Sequence, residues 1–362
     1  MKKRSMRILF NAWADENNVN AQNLNARDIA LRLDPERFFI RLFCHKAPDP
    51  RLIGRKNISL IRLPGRLGSL IMFGHMIRGY DALFYLRMTR ADALYRWFRL
   101  RHRDHKATIA PIESPVSVLD QEGYPPEVCR FYDGVMKVAD RIVANSPYVA
   151  QTIRERYGLR VPFIYSGVDA EYFRRLALDR TAPRGKIRVL FAGSLQPRKH
   201  PELVIEAARH WPQADFILMG DGPLKPLLAQ QVREEKLVNV SFQSTLAYRE
   251  YARILVTADI FLFPSRIEGL GKVLMEAAAS GIPALVFDDY CTPVIIDGVT
   301  GYQVKTFGEM LERLRWLMED RELRIRMGRA AAEHANRFDW RIIAQQWEKV
   351  FEETIFEKAY DT

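Results

Sequence analysis

Short apolar runs alternate with helix-like segments along this 362-residue chain, and that alternation restricts the fold more than any other feature. Residues 7–11, 39–44 and 108–112 have the length of strands, and the segments between them carry the periodicity of amphipathic helices. Strands that alternate with helices predict parallel sheets whose faces are covered by helices. We therefore expect an α/β fold built from doubly wound, Rossmann-like sheets.

The alternation is interrupted at a polar segment that contains Pro183 and Gly185, and a strong apolar run at 187–192 restarts it. We interpret residues 174–186 as a linker between an N-terminal domain, residues 1–173, and a C-terminal domain, residues 187–344. Two such domains are expected to face a central cleft, where open α/β sheets bind their ligands.

The excess of positive charge lies in the first half of the chain. Residues 1–180 hold 31 Lys and Arg against 19 Asp and Glu, whereas residues 181–362 hold 24 against 25. A basic half joined to a nearly neutral half indicates two tasks, one of which involves an acidic surface or partner.

Cysteine usage and hydropathy restrict the compartment. Cys44, Cys129 and Cys291 are scattered, which is typical of a reducing compartment and argues against a disulfide framework. The sequence shows no signal-peptide pattern and no apolar window long enough to cross a bilayer. We expect a cytoplasmic protein, soluble or peripheral on a membrane.

The strongest local signal follows the apolar run 260–263, where a turn with Glu268, Gly269 and Gly271 leads into a helix that carries Glu276. Glycines let backbone N–H groups approach a ligand, and a helix N-terminus attracts phosphate. The two carboxylates are separated by about 9–12 Å along the helix axis. That spacing suits two hydroxyl-rich ends of one elongated ligand with a diphosphate between them.

Two further turns end predicted strands in the same half. The segment 193–200 contains Gly193 followed by adjacent Arg198 and Lys199, and the segment 220–223 contains two more glycines. Cations at such a turn can neutralise a leaving diphosphate as its charge develops. All three turns are predicted at the carboxyl ends of strands, the edge where parallel sheets bind ligands.

Together with Asp297–Tyr302, these segments resemble the retaining nucleotide-sugar glycosyltransferases of family 4, over about residues 187–345. The resemblance implies the GT-B fold and sugar transfer from a nucleotide diphosphate donor with retained anomeric configuration. It also implies that the chemistry needs no metal and no cofactor. The last helix, about residues 345–362, is expected to pack back on the N-terminal domain, as in similar proteins.

The resemblance also implies residue roles. Lys199 would bind the donor diphosphate and Glu268 the donor sugar, as the catalytic pair, and Glu276 would bind the ribose hydroxyls. Ser194 stands where the family often has Arg, a role that Arg198 is placed to take. The further donor-binding residues predicted are Gly193, Ser194, Arg198, Asp221, Gly222, Phe242, Gln243, Gly269, Leu270, Gly271 and Lys272.

The N-terminal domain is expected to bind the acceptor. Glu113 stands where the family often has His, and it is a candidate acceptor-binding residue, as are Asn20, Gln22 and Asn23. The alternative is that these residues only form turns and helix caps.

Residues 66–106 combine an apolar segment with a basic segment interleaved with aromatic residues. Such a pattern is typical of a helix on an anionic membrane surface, although a nucleic-acid site or a solvated basic face would give a similar pattern. We favour the membrane, a lipid-linked or cell-envelope glycan acceptor such as lipopolysaccharide, and a location on the inner face of the cell membrane. The rival functions are a nucleotide-sugar epimerase and a nonenzymatic nucleic-acid-binding protein, and the second leaves the Glu268–Glu276 helix unexplained.

Overall fold

The computed structural model describes residues 5–18, 20–65, 67–102, 106–120, 125–178 and 185–360. Within these ranges the chain forms two parallel sheets, each with six strands. It divides into two compact units, the first made of Met1–Ser166 with Trp340–Thr362 and the second of Gly167–Asp339. The predicted α/β class with two doubly wound sheets is confirmed.

The first unit has the strand order β3-β2-β1-β4-β5-β6, so the direction of strand addition reverses between β1 and β4. The loops that follow these two strands therefore diverge to opposite faces and leave a crevice at the sheet edge. Its elements up to the second unit are β1 (Met6–Trp13), α1 (Ala21–Ala30), β2 (Phe38–Cys44), β3 (Ile58–Arg62), α2 (Gly68–Met76), β4 (Ala82–Phe84), α3 (Arg90–Arg99), β5 (Ala107–Ile112), α4 (Pro126–Val138), β6 (Arg141–Ala144) and α5 (Pro147–Tyr157).

The second unit repeats this arrangement with the order β12-β11-β10-β7-β8-β9, and its reversal lies between β7 and β10. Strands β10 and β11 are buried along their whole length, as expected for parallel strands covered on both faces. Its elements are α6 (Ala170–Leu178), β7 (Arg188–Ala192), α7 (Glu202–His210), β8 (Asp215–Met219), α8 (Lys225–Glu234), β9 (Val240–Gln243), α9 (Tyr248–Leu255), β10 (Ile260–Phe263), α10 (Lys272–Ala279), β11 (Ala284–Phe287), β12 (Gly301–Val304), α11 (Phe307–Glu319) and α12 (Arg321–His334).

The last helix, α13 (Trp340–Tyr360), belongs to the first unit. Trp347 and Phe351 are buried in its core, and their rings pack at 4.8 and 4.9 Å from the ring of Phe84 on β4. Arg37 also forms ion pairs with Glu348 and Glu352 of this helix. The helix begins at Trp340, before the predicted residue 345.

The units separate at Ser166 and Asp339, so the predicted linker at 174–186 is not the point of division. The first part of that segment continues helix α6, and residues 179–184 lie outside the described residues. Phe173 is fully buried in the second unit, and the Val168 backbone N–H donates to Phe338 O at 2.8 Å. These contacts anchor α6 to the second unit.

Candidate functional site

The loops that follow β7 and β10 meet in the second unit because the strand order reverses between these two strands. Lys199 ends a short 3-10 turn after β7, and its ammonium forms an ion pair with Oε1 of Glu268 in the loop after β10. The same carboxylate oxygen accepts a hydrogen bond of 2.7 Å from the buried Ser265 hydroxyl. The structure thus brings together the two residues that the sequence predicts as the catalytic pair.

Positive charge dominates around this carboxylate. Lys199 is only 8% exposed, and its ammonium lies 4.9 Å from the centre of the Phe263 ring. Burial lowers the pKa of Lys199, the Glu268 carboxylate opposes that shift, and the neighbouring Arg198 adds to it. The Arg198 guanidinium lies 3.7 Å from Glu268 Oε1 and donates to Ile267 O at 3.1 Å. Two cations around one carboxylate suit a second anion such as a diphosphate.

The predicted glycines after β8 allow its loop to pack directly on the loop after β7. A Cβ atom on Gly220 would lie 2.0 Å from Gly193 O, and one on Gly222 would lie 2.4 Å from Leu195 O. The Leu195 backbone N–H donates to Asp221 O at 3.0 Å. Close backbone packing therefore accounts for Gly220 and Gly222 whether or not a ligand is bound.

Asp221 ties its loop to neighbouring residues. Its carboxylate pairs with Lys225 at 2.6 Å and accepts from the Thr245 backbone N–H at 2.7 Å, and these hydrogen bonds hold its pKa well below the usual range. The predicted Phe242 and Gln243 are half-buried at the end of edge strand β9.

Helix α10 starts where the glycine-bearing turn ends. Gly271 has φ +83°, a left-handed conformation that favours glycine, and it immediately precedes the first helical residue, Lys272. Gly269 and Leu270 are buried just before it, and Leu270 O accepts from the Thr292 hydroxyl at 3.0 Å. This fixed turn presents the positive end of the helix dipole beside the Lys199–Glu268 pair.

Glu276 lies one turn into α10 and is 2% exposed. Its Oε1 accepts from the Tyr248 hydroxyl at 2.8 Å and its Oε2 from the Tyr251 hydroxyl at 2.7 Å, while the Lys272 ammonium lies 4.0 Å from Oε1. Burial and the Glu276 carboxylate raise the pKa of Tyr251 well above its usual range, so its hydroxyl stays protonated and can donate. The carboxylate is therefore fixed by tyrosine hydroxyls.

Sequence reasoning missed four polar residues of this region: Tyr248, Tyr251, Ser265 and Tyr290. The two tyrosines are three residues apart on α9 and so share a face, which was the available signal. Tyr290 follows β11 and is buried, and its hydroxyl has no hydrogen-bond partner within the described ranges. Burial and the nearby Glu268 charge raise the pKa of Tyr290 well above its usual range.

In the first unit, the predicted asparagines support the local backbone. Asn20 caps helix α1 by accepting from the Asn23 backbone N–H at 2.9 Å. Asn23 Oδ1 accepts from the Trp13 backbone N–H at 3.0 Å and from Arg87 at 2.6 Å. These are contacts of the structural kind that the alternative interpretation predicts, and Gln22 is half-buried beside them.

Glu113, which follows β5, lies in a polar cluster. Its Oε1 accepts from the Tyr85 hydroxyl at 2.6 Å and from Asn25 Nδ2 at 2.9 Å. Tyr85 adopts φ +72°, which is uncommon for a non-glycine residue and is enriched at functional sites. Trp340, Trp347 and Ser166 line a small pocket with these residues.

The surface at residues 66–106 is more apolar and less basic than predicted; Arg66 and Arg103 lie outside the described residues. Arg87 bonds to Asn23, the Arg96 guanidinium lies 5.2 Å from the centre of the Phe131 ring, and Arg99 pairs with Asp140 at 2.7 Å. These three arginines therefore make contacts within the first unit rather than forming a free basic surface. The exposed apolar side chains, which we call the α2–α3 patch, are Leu67, Leu70, Met88, Leu94, Trp97 and Leu100.

No helix in the described ranges has the length and hydropathy needed to span a bilayer. Within the same ranges, no three His, Cys, Asp or Glu side chains are arranged to hold one metal ion.

Comparison with known proteins gives a consistent picture. Residues 177–334 match the family "Glycosyl transferases group 1". D-inositol 3-phosphate glycosyltransferases of Mycobacterium bovis and Mycobacterium tuberculosis are 29% identical over 270 residues. That match covers 68% of this chain and 55% of theirs, so the chain spans about half the length of these curated relatives.

Solved structures match over nearly the whole chain. Anabaena HepE in complex with UDP-glucose has a TM-score of 0.77 at 20% identity and covers 96% of this chain and 100% of its own. Sucrose-phosphate synthase from Thermosynechococcus elongatus has a TM-score of 0.76 at 19% identity, with 97% and 99% covered. The chain therefore has the GT-B fold, and its residues 177–334 are similar to the glycosyl transferases group 1 family.

Proposed function

We propose that this chain is a retaining, metal-independent glycosyltransferase of family 4 that moves a hexose-like sugar from a nucleotide diphosphate donor to a cell-envelope or lipid-linked glycan. The observation that carries the proposal is the Lys199–Glu268 ion pair beside the turn that leads into helix α10, which carries the buried Glu276 one turn further on. This arrangement offers a cation, a helix N-terminus and two carboxylates to one elongated ligand.

Each group has a distinct task in this proposal. The Lys199 ammonium and the start of α10 stabilise the diphosphate as it leaves, because negative charge develops there in the transition state. Glu268 accepts hydrogen bonds from sugar hydroxyls, and Glu276 accepts them from the ribose. In the structure the Lys199 ammonium forms an ion pair with the Glu268 carboxylate. In this proposal, a phosphate of the bound donor replaces that carboxylate as the partner of the ammonium.

The proposed reaction has a simple balance. The bond between the sugar C1 and the diphosphate oxygen breaks, and the acceptor oxygen forms a bond to C1 on the same face. The acceptor proton passes to the departing phosphate oxygen, and the nucleoside diphosphate is released. No protein carboxylate is required as a base in this scheme.

Similar proteins support a nucleotide-sugar donor and a sugar-transfer reaction. HepE has been solved with UDP-glucose, and the mycobacterial relatives are named for a D-inositol 3-phosphate acceptor. We extend to this chain only the class of donor, a nucleotide diphosphate sugar, and of reaction, sugar transfer.

Donor binding is tested by thermal shift with a panel of nucleotide diphosphate sugars. At least one of them should raise the melting temperature, because a ligand that binds only the folded state stabilises it by mass action. Glu276→Gln should reduce the shift strongly, and Glu250→Gln, an exposed change on α9, should not. The donor proposal fails if none of the sugars stabilises the wild type.

Retention is tested with the donor identified in that screen and no acceptor, by following slow hydrolysis with ¹H NMR. A retaining enzyme releases a sugar whose first-formed anomer matches the donor bond. An epimerase would instead convert the nucleotide sugar into a stereoisomer. Accumulation of the opposite anomer would contradict the retaining mechanism, and isomerisation of the donor would contradict glycosyl transfer.

We also propose that the α2–α3 patch binds an anionic membrane surface at the cytoplasmic face. Leu70 is 61% and Trp97 is 51% exposed, and the Arg101 guanidinium lies 4.5 Å from the centre of the Trp97 ring. Exposed apolar and aromatic side chains with neighbouring arginines suit insertion at the headgroup level. Such a surface would bring the enzyme to a lipid-linked acceptor.

Vesicle sedimentation tests this surface, with phosphatidylglycerol–phosphatidylcholine vesicles at low and high salt. The wild type should sediment with vesicles, and the double variant Leu70→Ser and Trp97→Ser should remain in the supernatant. Leu227→Ser, an equally exposed position in the second unit, is the matched control. A wild type that never sediments would refute the membrane proposal.

A further inference from the structure

Glu276 is an unusual residue for the interior of helix α10, because its neighbours Leu274, Met275 and Ala277–Ala279 are buried and apolar. Burying a carboxylate among apolar residues is unfavourable unless hydrogen bonds or counter-charges compensate. A hydrophobic residue would fill the same space at a lower cost in folding free energy, so the presence of a charged carboxylate at position 276 needs a chemical reason.

The compensation comes from one face of a neighbouring helix. Tyr248 and Tyr251 are the first and fourth residues of α9, and each hydroxyl donates to a different oxygen of the Glu276 carboxylate. Donors on both oxygens prevent the carboxylate from turning about its terminal bond. Tyr248 is itself positioned edge-to-face against Phe173 of α6, with ring centres 6.2 Å apart.

We infer that Tyr248 and Tyr251 are positioning residues that fix the Glu276 carboxylate for selective recognition of ribose over deoxyribose. This inference rests on the proposed donor site. A carboxylate oxygen can accept more than one hydrogen bond, so the tyrosines and a ribose hydroxyl can share it. A carboxylate oxygen held in one orientation binds most tightly to a ligand that has a hydroxyl at the matching position. A carboxylate that can rotate loses this preference.

The test compares dissociation constants of ADP, GDP and UDP with those of their 2′-deoxy and 3′-deoxy analogues, measured by calorimetry. The wild type should bind one ribonucleoside diphosphate at least about tenfold more tightly than one of its deoxy analogues. Tyr251→Phe and Tyr248→Phe should each weaken the ribonucleotide about fivefold or more while changing the deoxy analogue less than about twofold. Tyr302→Phe, in strand β12 of the same unit, is the control.

The outcomes separate the two proposals. Failure of every nucleoside diphosphate to bind the wild type would refute the donor site itself. Ribonucleotide binding that depends on Glu276 but keeps its ribose preference in both phenylalanine variants would overturn only the positioning role. An equal loss for ribose and deoxyribose ligands would also overturn it, because that result reports a general disturbance of the site. Should Tyr251→Phe fail to fold, Tyr248→Phe decides the question.

Discussion

Replacing Glu268 by Gln should destabilise the second unit more than replacing Lys199 by Met. The side chain of Lys199 is 10% exposed and that of Glu268 is 12% exposed, so their pair is largely removed from water. In Glu268→Gln the buried Lys199 ammonium loses its carboxylate partner and still has the positive charge of Arg198 nearby. The free energy of unfolding should therefore fall by about 3 kcal/mol. In Lys199→Met the carboxylate retains the Ser265 hydroxyl and lies 3.7 Å from Arg198, so the cost should be about 1–2 kcal/mol.

The double variant isolates the pair. It leaves no buried charge of either sign, so its unfolding free energy should exceed the additive expectation by about 2 kcal/mol. Urea unfolding of the four proteins gives this coupling energy directly. A coupling energy below about 0.5 kcal/mol would refute the reasoning, because that value belongs to pairs fully exposed to solvent.

The stability difference between the wild type and Glu268→Gln should depend on pH through the charge of Lys199. Without Glu268 the pKa of Lys199 falls further below its unfolded value of 10.5, because the Glu268 carboxylate no longer opposes the lowering by burial and Arg198. In Glu268→Gln, the cost of burying the charged Lys199 ammonium is therefore largest below the pKa of Lys199 in the folded protein. That cost disappears as the pH rises towards the unfolded pKa of 10.5. The stability difference between wild type and Glu268→Gln should therefore shrink between pH 7 and pH 10, and a constant difference would contradict a charge-based penalty.

Three other changes have defined outcomes in unfolding experiments. Gly220→Ala should lower the melting temperature strongly because its Cβ would lie 2.0 Å from a backbone carbonyl oxygen, whereas Gly185→Ala, with open space, should not. Burial raises the pKa of Asp92 to about 6 from 3.8, so the wild type should lose about 2–3 kcal/mol relative to Asp92→Asn between pH 4 and pH 7 in urea titrations. Phe351→Ala should cost about 3–5 kcal/mol, and the 62%-exposed Phe356 should tolerate Ala.

The location of the Lys199–Glu268 pair was accessible from the sequence because it depends on strand order and loop position. Both residues follow predicted strands, and glycine-bearing turns after parallel strands lie at one edge of a sheet. The reversal between β7 and β10 then brings these two particular loops together. Local sequence patterns were therefore enough to predict where these two residues lie.

Contacts set by tertiary packing were not accessible. Tyr248 and Tyr251 reach Glu276 from another helix, 28 and 25 residues away, and nothing local in α9 specifies that partner. The same limit applies to the division of the chain. Phe173 precedes the polar segment 174–186 and was assigned to the N-terminal domain, yet it is completely buried in the second unit, whose boundary lies at Ser166.

The excess charge of the first half shows why composition predicts a partner less well than exposure does. Arg87, Arg96 and Arg99 contribute to that charge, but they bind Asn23, stack on an aromatic ring and pair with Asp140 inside the unit. The α2–α3 patch consists of six exposed apolar side chains, with Arg90 and Arg101 exposed in the same segment. Burial of apolar surface is not screened by salt. Binding of the patch to vesicles should therefore persist at high ionic strength, whereas a surface held by arginines alone would release its vesicles as salt is added.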